Sequence, residues 1–132
     1  MVRVRRVLVA ALVVTGTSVW AQSVGDTEIG LAAVYADSLN GHATASGQTY
    51  DRTKLTAAHK RLPFGSMIKV TNRTNGKSVI VRVNDRGPLR AGRILDVSPA
   101  AAERLGFSRG VCHVTLEVVE VGTSRRAGRP LK

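Results

Sequence analysis

Two strand-patterned runs joined through an Asn-Gly turn constrain this chain more than any other feature. Ser66–Asn72 (SMIKVTN) alternates apolar and polar residues, and Ser78–Asn84 (SVIVRVN) is more continuously apolar. Asn75-Gly76 lies between them. That dipeptide tolerates the positive φ of a tight turn, so the two runs read as a β-hairpin. Further short runs repeat the theme at Gly30–Ala36 (GLAAVYA), Leu55–His59 (LTAAH), Arg93–Val97 (RILDV) and His113–Val121 (HVTLEVVEV). One helix is predicted, with Ser98 as N-cap, Pro99 at its first position, Ala100–Leu105 as its body and Gly106 closing it. Asp96 is expected to brace that helix. A mainly β chain of about six short strands and one or two short helices must close its sheet to avoid bare edges, so a small β-barrel is the expected class.

Residues 1–21 stand apart from this pattern. Arg3, Arg5 and Arg6 precede an apolar run, Val7–Val14, that is too short to span a bilayer. Val19-Trp20-Ala21 places small residues at the −3 and −1 positions of a cleavage site. The stretch reads as a signal peptide cleaved before Gln22. No cysteine lies there to carry a lipid, so export to the periplasm or cell envelope without a stable membrane anchor is expected. Residues 22–29 are polar and read as a flexible lead-in, residues 30–122 as the barrel domain, and residues 123–132 as a basic, disordered tail.

The whole chain of 132 residues carries 20 basic and 9 acidic residues, a net charge of +11. Setting aside the three arginines near the start and the four basic residues after Gly122 leaves thirteen basic against nine acidic residues. A moderately basic, exported domain suits a polyanionic surface such as a bacterial cell wall. Nucleic acid is not expected, because only Tyr35, Tyr50, Phe64 and Phe107 follow the leader as aromatics, too few for a stacking platform. Cys112 is the single cysteine and reads as a buried small hydrophobe. His42, His59 and His113 show no ligand spacing, so neither a metal nor another cofactor is implied.

Chemistry concentrates in Val81-Arg82-Val83-Asn84-Asp85-Arg86-Gly87-Pro88. A strand delivers Asp85 into a turn that Gly87 and Pro88 fix, which is where a general acid is well placed. Upstream, residues 37–49 form a long polar loop, and long loops in small domains are usually functional.

Four ordered pieces, GLAAVY (30–35), ATASG (43–47), LTAAHKRLPFG (55–65) and VRVNDRGP (81–88), are followed by RILDVS (93–98) and AAA (100–102). Together they resemble the rare lipoprotein A family, the septal-ring lytic transglycosylases of bacteria. The resemblance spans residues 30–121 and implies a six-stranded double-psi β-barrel related to barwin and the expansins. It implies endolytic cleavage of the N-acetylmuramic acid–N-acetylglucosamine bond in naked peptidoglycan glycan strands, leaving 1,6-anhydro ends. Asp85 matches the family's acidic turn residue and would act as general acid and then base, with Asp51 and His59 at the cleft beside it. Thr44, Ser46, Gln48, Tyr35, Tyr50 and Asn84 are candidate sugar contacts. One departure stands out: members of the family often carry glutamate where this chain has Gln48. A glutamine bonds a sugar but donates no acid proton. It favours the alternative of a non-catalytic, expansin- or barwin-like peptidoglycan-binding barrel. A monomer is expected, with division-site proteins as candidate partners. The family often carries a C-terminal peptidoglycan-binding repeat domain, absent from this sequence, so weak wall attachment is expected from the basic tail.

Overall fold

A computed structural model describes residues 21–123, and the strand-patterned runs form the strands of a barrel. These are β1 (Thr27–Val34), β2 (Thr56–Ala58), β3 (Met67–Asn72), β4 (Ser78–Asp85), β5 (Arg93–Val97) and β6 (Val111–Glu120). The barrel closes in the order β1-β5-β2-β4-β3-β6, with β6 returning to β1. Pairing is parallel between β1 and β5 and between β2 and β4, and antiparallel elsewhere. The predicted leader and basic tail lie outside the described residues, apart from Ala21 and Thr123.

Alternation along the strands explains the core. Ile68 and Val70 of β3, Val79, Val81 and Val83 of β4, and Cys112, Val114, Leu116 and Val118 of β6 all point inward and are buried. Each such Val or Leu contributes roughly 1.5–3 kcal/mol by leaving water. Cys112 sits in that cluster as the small hydrophobe expected of it.

The predicted turn and caps form through local chemistry. Gly76 takes φ +77° in the hairpin that pairs Thr71 with Ser78. Helix α1 runs over Pro99–Leu105, with Ser98 Oγ accepting from Ala101 N–H at 3.2 Å and Gly106 left-handed at φ +86°. Asn72 and Asn75 donate to the Leu105 carbonyl at 2.9 and 3.1 Å, tying the hairpin to the helix end. Ser98, not Asp96, caps this helix, and Asp96 turns elsewhere.

The lead-in departs from expectation. Strand β1 begins at Thr27, before the apolar run, because its antiparallel register with β6 continues from Ala33↔Val111 back to Thr27↔Glu117. Residues 22–26 are pinned too. Asp26 Oδ2 accepts from the N–H groups of Gln22 and Ser23, and Gly25 N–H donates to the Val118 carbonyl at 2.8 Å. Backbone pairing needs no apolar side chain, so polarity alone misplaced the strand's start.

Candidate active site

The site is built where β1, β2, β4 and β5 end together. Asp85 is the last residue of β4 and Asp96 the penultimate residue of β5. Ala58 of β2 is paired with both of them, and Ala33 of β1 with Asp96. Residues paired across neighbouring strands project to the same side. Two carboxylates therefore flank the buried Ala58, with the buried Ala33 on the far side of Asp96.

Asp85 is held from three directions. Tyr35 Oη donates to its Oδ2, while Ala45 N–H and Arg86 N–H donate to Oδ1 at 2.9 and 2.8 Å. Tyr35 is itself backed by the buried Tyr50, with ring centroids 4.4 Å apart and planes tilted by 33°. Burial, aided by the charge of Asp37, pushes the Tyr50 phenol up to about 12. Its hydroxyl meets no hydrogen-bond partner among the described residues.

Asp96 is half-buried, and its Oδ2 lies 4.0 Å from where a Cβ on Gly87 would stand. Gly87 adopts φ +124°, so the turn after Asp85 brings bare backbone toward Asp96. Burial pushes the Asp96 carboxyl above the usual carboxylate range. Arg93 pulls it back, and the negative charge of Asp85 raises it again. The arrangement thus offers one carboxyl oriented by three donors and a second whose proton affinity is raised by burial.

The polar loop closes over this pair. Thr44 Oγ1 and Ser46 Oγ lie 2.9 Å apart, and Thr44 Oγ1 donates to the Gln48 carbonyl at 2.8 Å. Gln48 N–H in turn donates to Ser46 Oγ at 3.3 Å, and Ser46 N–H to the buried Asn84 carbonyl. The hydroxyls of Thr44 and Ser46 are therefore used to shape the turn that aims Ala45 N–H at Asp85. Tyr50 likewise backs Tyr35 from a buried position. Of the expected sugar contacts, Tyr35 and Gln48 retain partial exposure.

Asp51 and His59 sit apart from the two carboxylates. Asp51 Oδ1 accepts from Thr53 Oγ1 at 2.6 Å and Thr53 N–H at 2.9 Å, which lowers its proton affinity and makes a local turn. His59 is fully buried, and its Nδ1 accepts from Arg61 and Leu62 N–H, both at 3.0 Å. The ring proton therefore sits on Nε2, which donates to Glu28 Oε2 at 3.1 Å. His59 reaches the site only through its backbone. Its N–H donates to the Asp85 carbonyl, and its own carbonyl accepts from Arg86 Nη1 at 3.2 Å. Arg86 Nη1 also donates to the Leu62 carbonyl at 2.8 Å, and the guanidinium stacks 4.0 Å above the Phe64 ring.

Three groups escaped the sequence reading: Asp96, the Ala45 amide and Glu28. Asp96 carried one usable signal, since like Asp85 it lies near the end of an apolar strand. No group of three or more His, Cys, Asp or Glu side chains able to hold a metal occurs among the described residues.

A closed, six-stranded mixed barrel with its polar site at the strand ends defines the double-psi β-barrel class. Residues 27–116 match the lytic transglycolase family, and the chain belongs to it. It is similar to the endolytic peptidoglycan transglycosylase RlpA of Neisseria meningitidis serogroup B, 52% identical over 99 residues, covering 74% of this chain and 41% of the relative. The Vibrio cholerae protein of the same name is 51% identical over 98 residues, covering 74% and 37%. The chain thus spans less than half the length of these curated relatives. Among solved structures, the Streptomyces papain inhibitor aligns with TM-score 0.61 at 25% identity, covering 74% of this chain and 97% of that one. An apo expansin of Clavibacter michiganensis shares the fold at TM-score 0.58 and 23% identity, covering 75% and 53%.

Proposed function

We propose that this chain is an exported endolytic transglycosylase that cleaves the N-acetylmuramic acid–N-acetylglucosamine bond of peptidoglycan glycan strands. The observation that carries the reading is the carboxylate pair: Asp85 held by Tyr35 and Ala45, and Asp96 across Ala58 from it. Membership of the lytic transglycolase family supports the reaction class. The basic and apolar residues at the start of the sequence support export.

The sequence alone suggested that Asp85 serves as acid and then base. The geometry favours dividing the work. Asp96, whose hold on its proton is strengthened by burial, donates to the glycosidic oxygen as the C1–O bond breaks. Asp85, oriented by its donors, accepts the proton of the same sugar's C6 hydroxyl as the C6 oxygen bonds to C1. The products are a free 4-hydroxyl on one fragment and a 1,6-anhydro end on the other. No water is consumed, unlike the two-carboxylate scheme of ordinary glycosidases.

Mass spectrometry of peptide-free glycan strands incubated with the purified protein tests this. Anhydro-ended fragments are expected from the wild type. Asp85→Asn and Asp96→Asn should each lose roughly 10²–10⁴-fold in rate. Fragments with free reducing ends would instead make the protein a hydrolase. Intact strands that are nonetheless bound would support the non-catalytic wall-binding barrel. Gln48 favours that second reading, and Gln48→Glu in the same assay would show whether an acid there restores cleavage.

A further inference from the structure

A groove of about 470 Å³ runs away from the carboxylate pair. Its lining includes Tyr35, Leu39 and Asp96 on one part and residues 86–90 with Arg93 on another. We propose that this groove is a subsite for the lactyl carboxylate of a muramoyl residue, read by Arg90 and Arg93. The proposal rests on the transglycosylase reading and names the sugar feature that the same site selects.

Charge makes the first part of the case. Three arginines, at 86, 90 and 93, line a groove whose single acidic side chain is Asp96. Even with Asp96 ionised the three arginines outnumber it, so the groove keeps a net positive charge. Arg86 is committed to the carbonyls of His59 and Leu62 and to the face of Phe64, which makes it wall rather than reader. Arg93, the first residue of β5, is half-buried and acts on Asp96, while Arg90 is exposed on the loop before it. A guanidinium matches a carboxylate through two parallel hydrogen bonds.

Shape makes the second part. Leu89 is 96% exposed at the groove's edge, and Leu39 is 41% exposed at another part of the lining. Apolar side chains left in water on the lining of a cationic groove suit a ligand with methyl groups beside an anion. Among the sugars of the wall, N-acetylglucosamine has methyl but no anion. A muramoyl residue freed of its peptide has both, on its N-acetyl and lactyl groups. When a stem peptide is attached, that carboxyl becomes an amide and the anion is lost from this position. The groove therefore distinguishes bare strands from peptide-bearing ones by a single charge. It also links recognition to chemistry, since a carboxylate paired with Arg93 takes up the positive charge that otherwise favours ionised Asp96.

The test measures binding calorimetrically with the Asp85→Asn protein, whose turnover is expected to be roughly 10²–10⁴-fold slower. The probes are peptide-free glycan oligosaccharides, the same oligosaccharides with lactyl carboxyls converted to methylamides, and chitin oligosaccharides of equal length. The free acid should bind roughly tenfold or more tightly than the methylamide, as loss of a charge-assisted pair implies. Arg90→Gln/Arg93→Gln should reduce acid binding to the methylamide level and leave methylamide binding unchanged, which also shows that the variant is folded. Equal binding of acid and methylamide by the parent protein would overturn the subsite. So would discrimination that survives in the double variant. Failure of the wild type to produce anhydro ends, with discrimination intact, would sink the transglycosylase reading and leave the subsite standing.

Discussion

Asp96 is a half-buried carboxyl whose surroundings work against its charge. Its proton affinity is raised from the ordinary 3.8 by burial, against the opposing pull of Arg93 and with the help of Asp85. A raised value means the folded state holds the proton more tightly than the unfolded chain does. The associated stability is fully present below the unfolded value and is lost as pH rises through the folded one. Asp96→Asn has nothing to ionise, so it should be more stable than wild type at pH 7. The advantage should shrink as pH falls through the raised folded value and be largely gone below 3.8, and chemical denaturation across pH checks this directly. Tyr35 offers a complementary test, because its hydroxyl donates to Asp85. Tyr35→Phe keeps the ring against Tyr50 and removes only that donor. A hydrogen bond to a charged group is worth roughly 1.5–3 kcal/mol, so kcat should fall by roughly tenfold or more with KM little changed. An unchanged kcat would mean that Ala45 and Arg86 N–H orient Asp85 unaided.

Among the elements, β1 and the 59–65 turn are joined by a buried pair whose members lie 31 residues apart. Burial pushes the Glu28 carboxyl up, but the hydrogen bonds from His59 and from Ala21 N–H more than offset it, and the net shift is below the ordinary 4.5. A lowered value contributes stability that is present above the unfolded value and lost as pH falls through the folded one. Glu28→Gln should therefore destabilise the protein at neutral pH by about 1–3 kcal/mol, with the difference fading in acid. Thermal unfolding at pH 7 and pH 3 would show it. A pH-independent loss would instead assign the effect to packing. The same turn carries the carbonyls that hold Arg86 behind Asp85, so this variant is also expected to lower activity through position.

The chain combines a net positive charge with the groove lined by Arg86, Arg90 and Arg93, and salt separates their contributions. Binding of the purified protein to isolated sacculi should weaken several-fold between about 0.02 and 0.5 M ionic strength, as screening shortens the reach of surface charge. Binding that resists salt would place the affinity in the groove's direct contacts. The hairpin, the helix with its Ser98 and Gly106 caps, and the inward alternation of β3, β4 and β6 were all legible in the sequence, because turn, cap and periodicity signals act over a few residues. So was the position of Asp85 at a strand end, through the strand-and-turn segment that contains it. Its partners were not: Tyr35 lies fifty residues away, and Asp96 reaches it only across Ala58 of a third strand. The true start of β1 was hidden for the same reason, since its register with β6 is made by backbone pairing that polar side chains do not reveal. By itself the sequence determined which segments become strand, turn and helix, and that the sheet must close. Only the tertiary structure decided which side chains meet at the strand ends, because strand register couples residues that no local pattern connects.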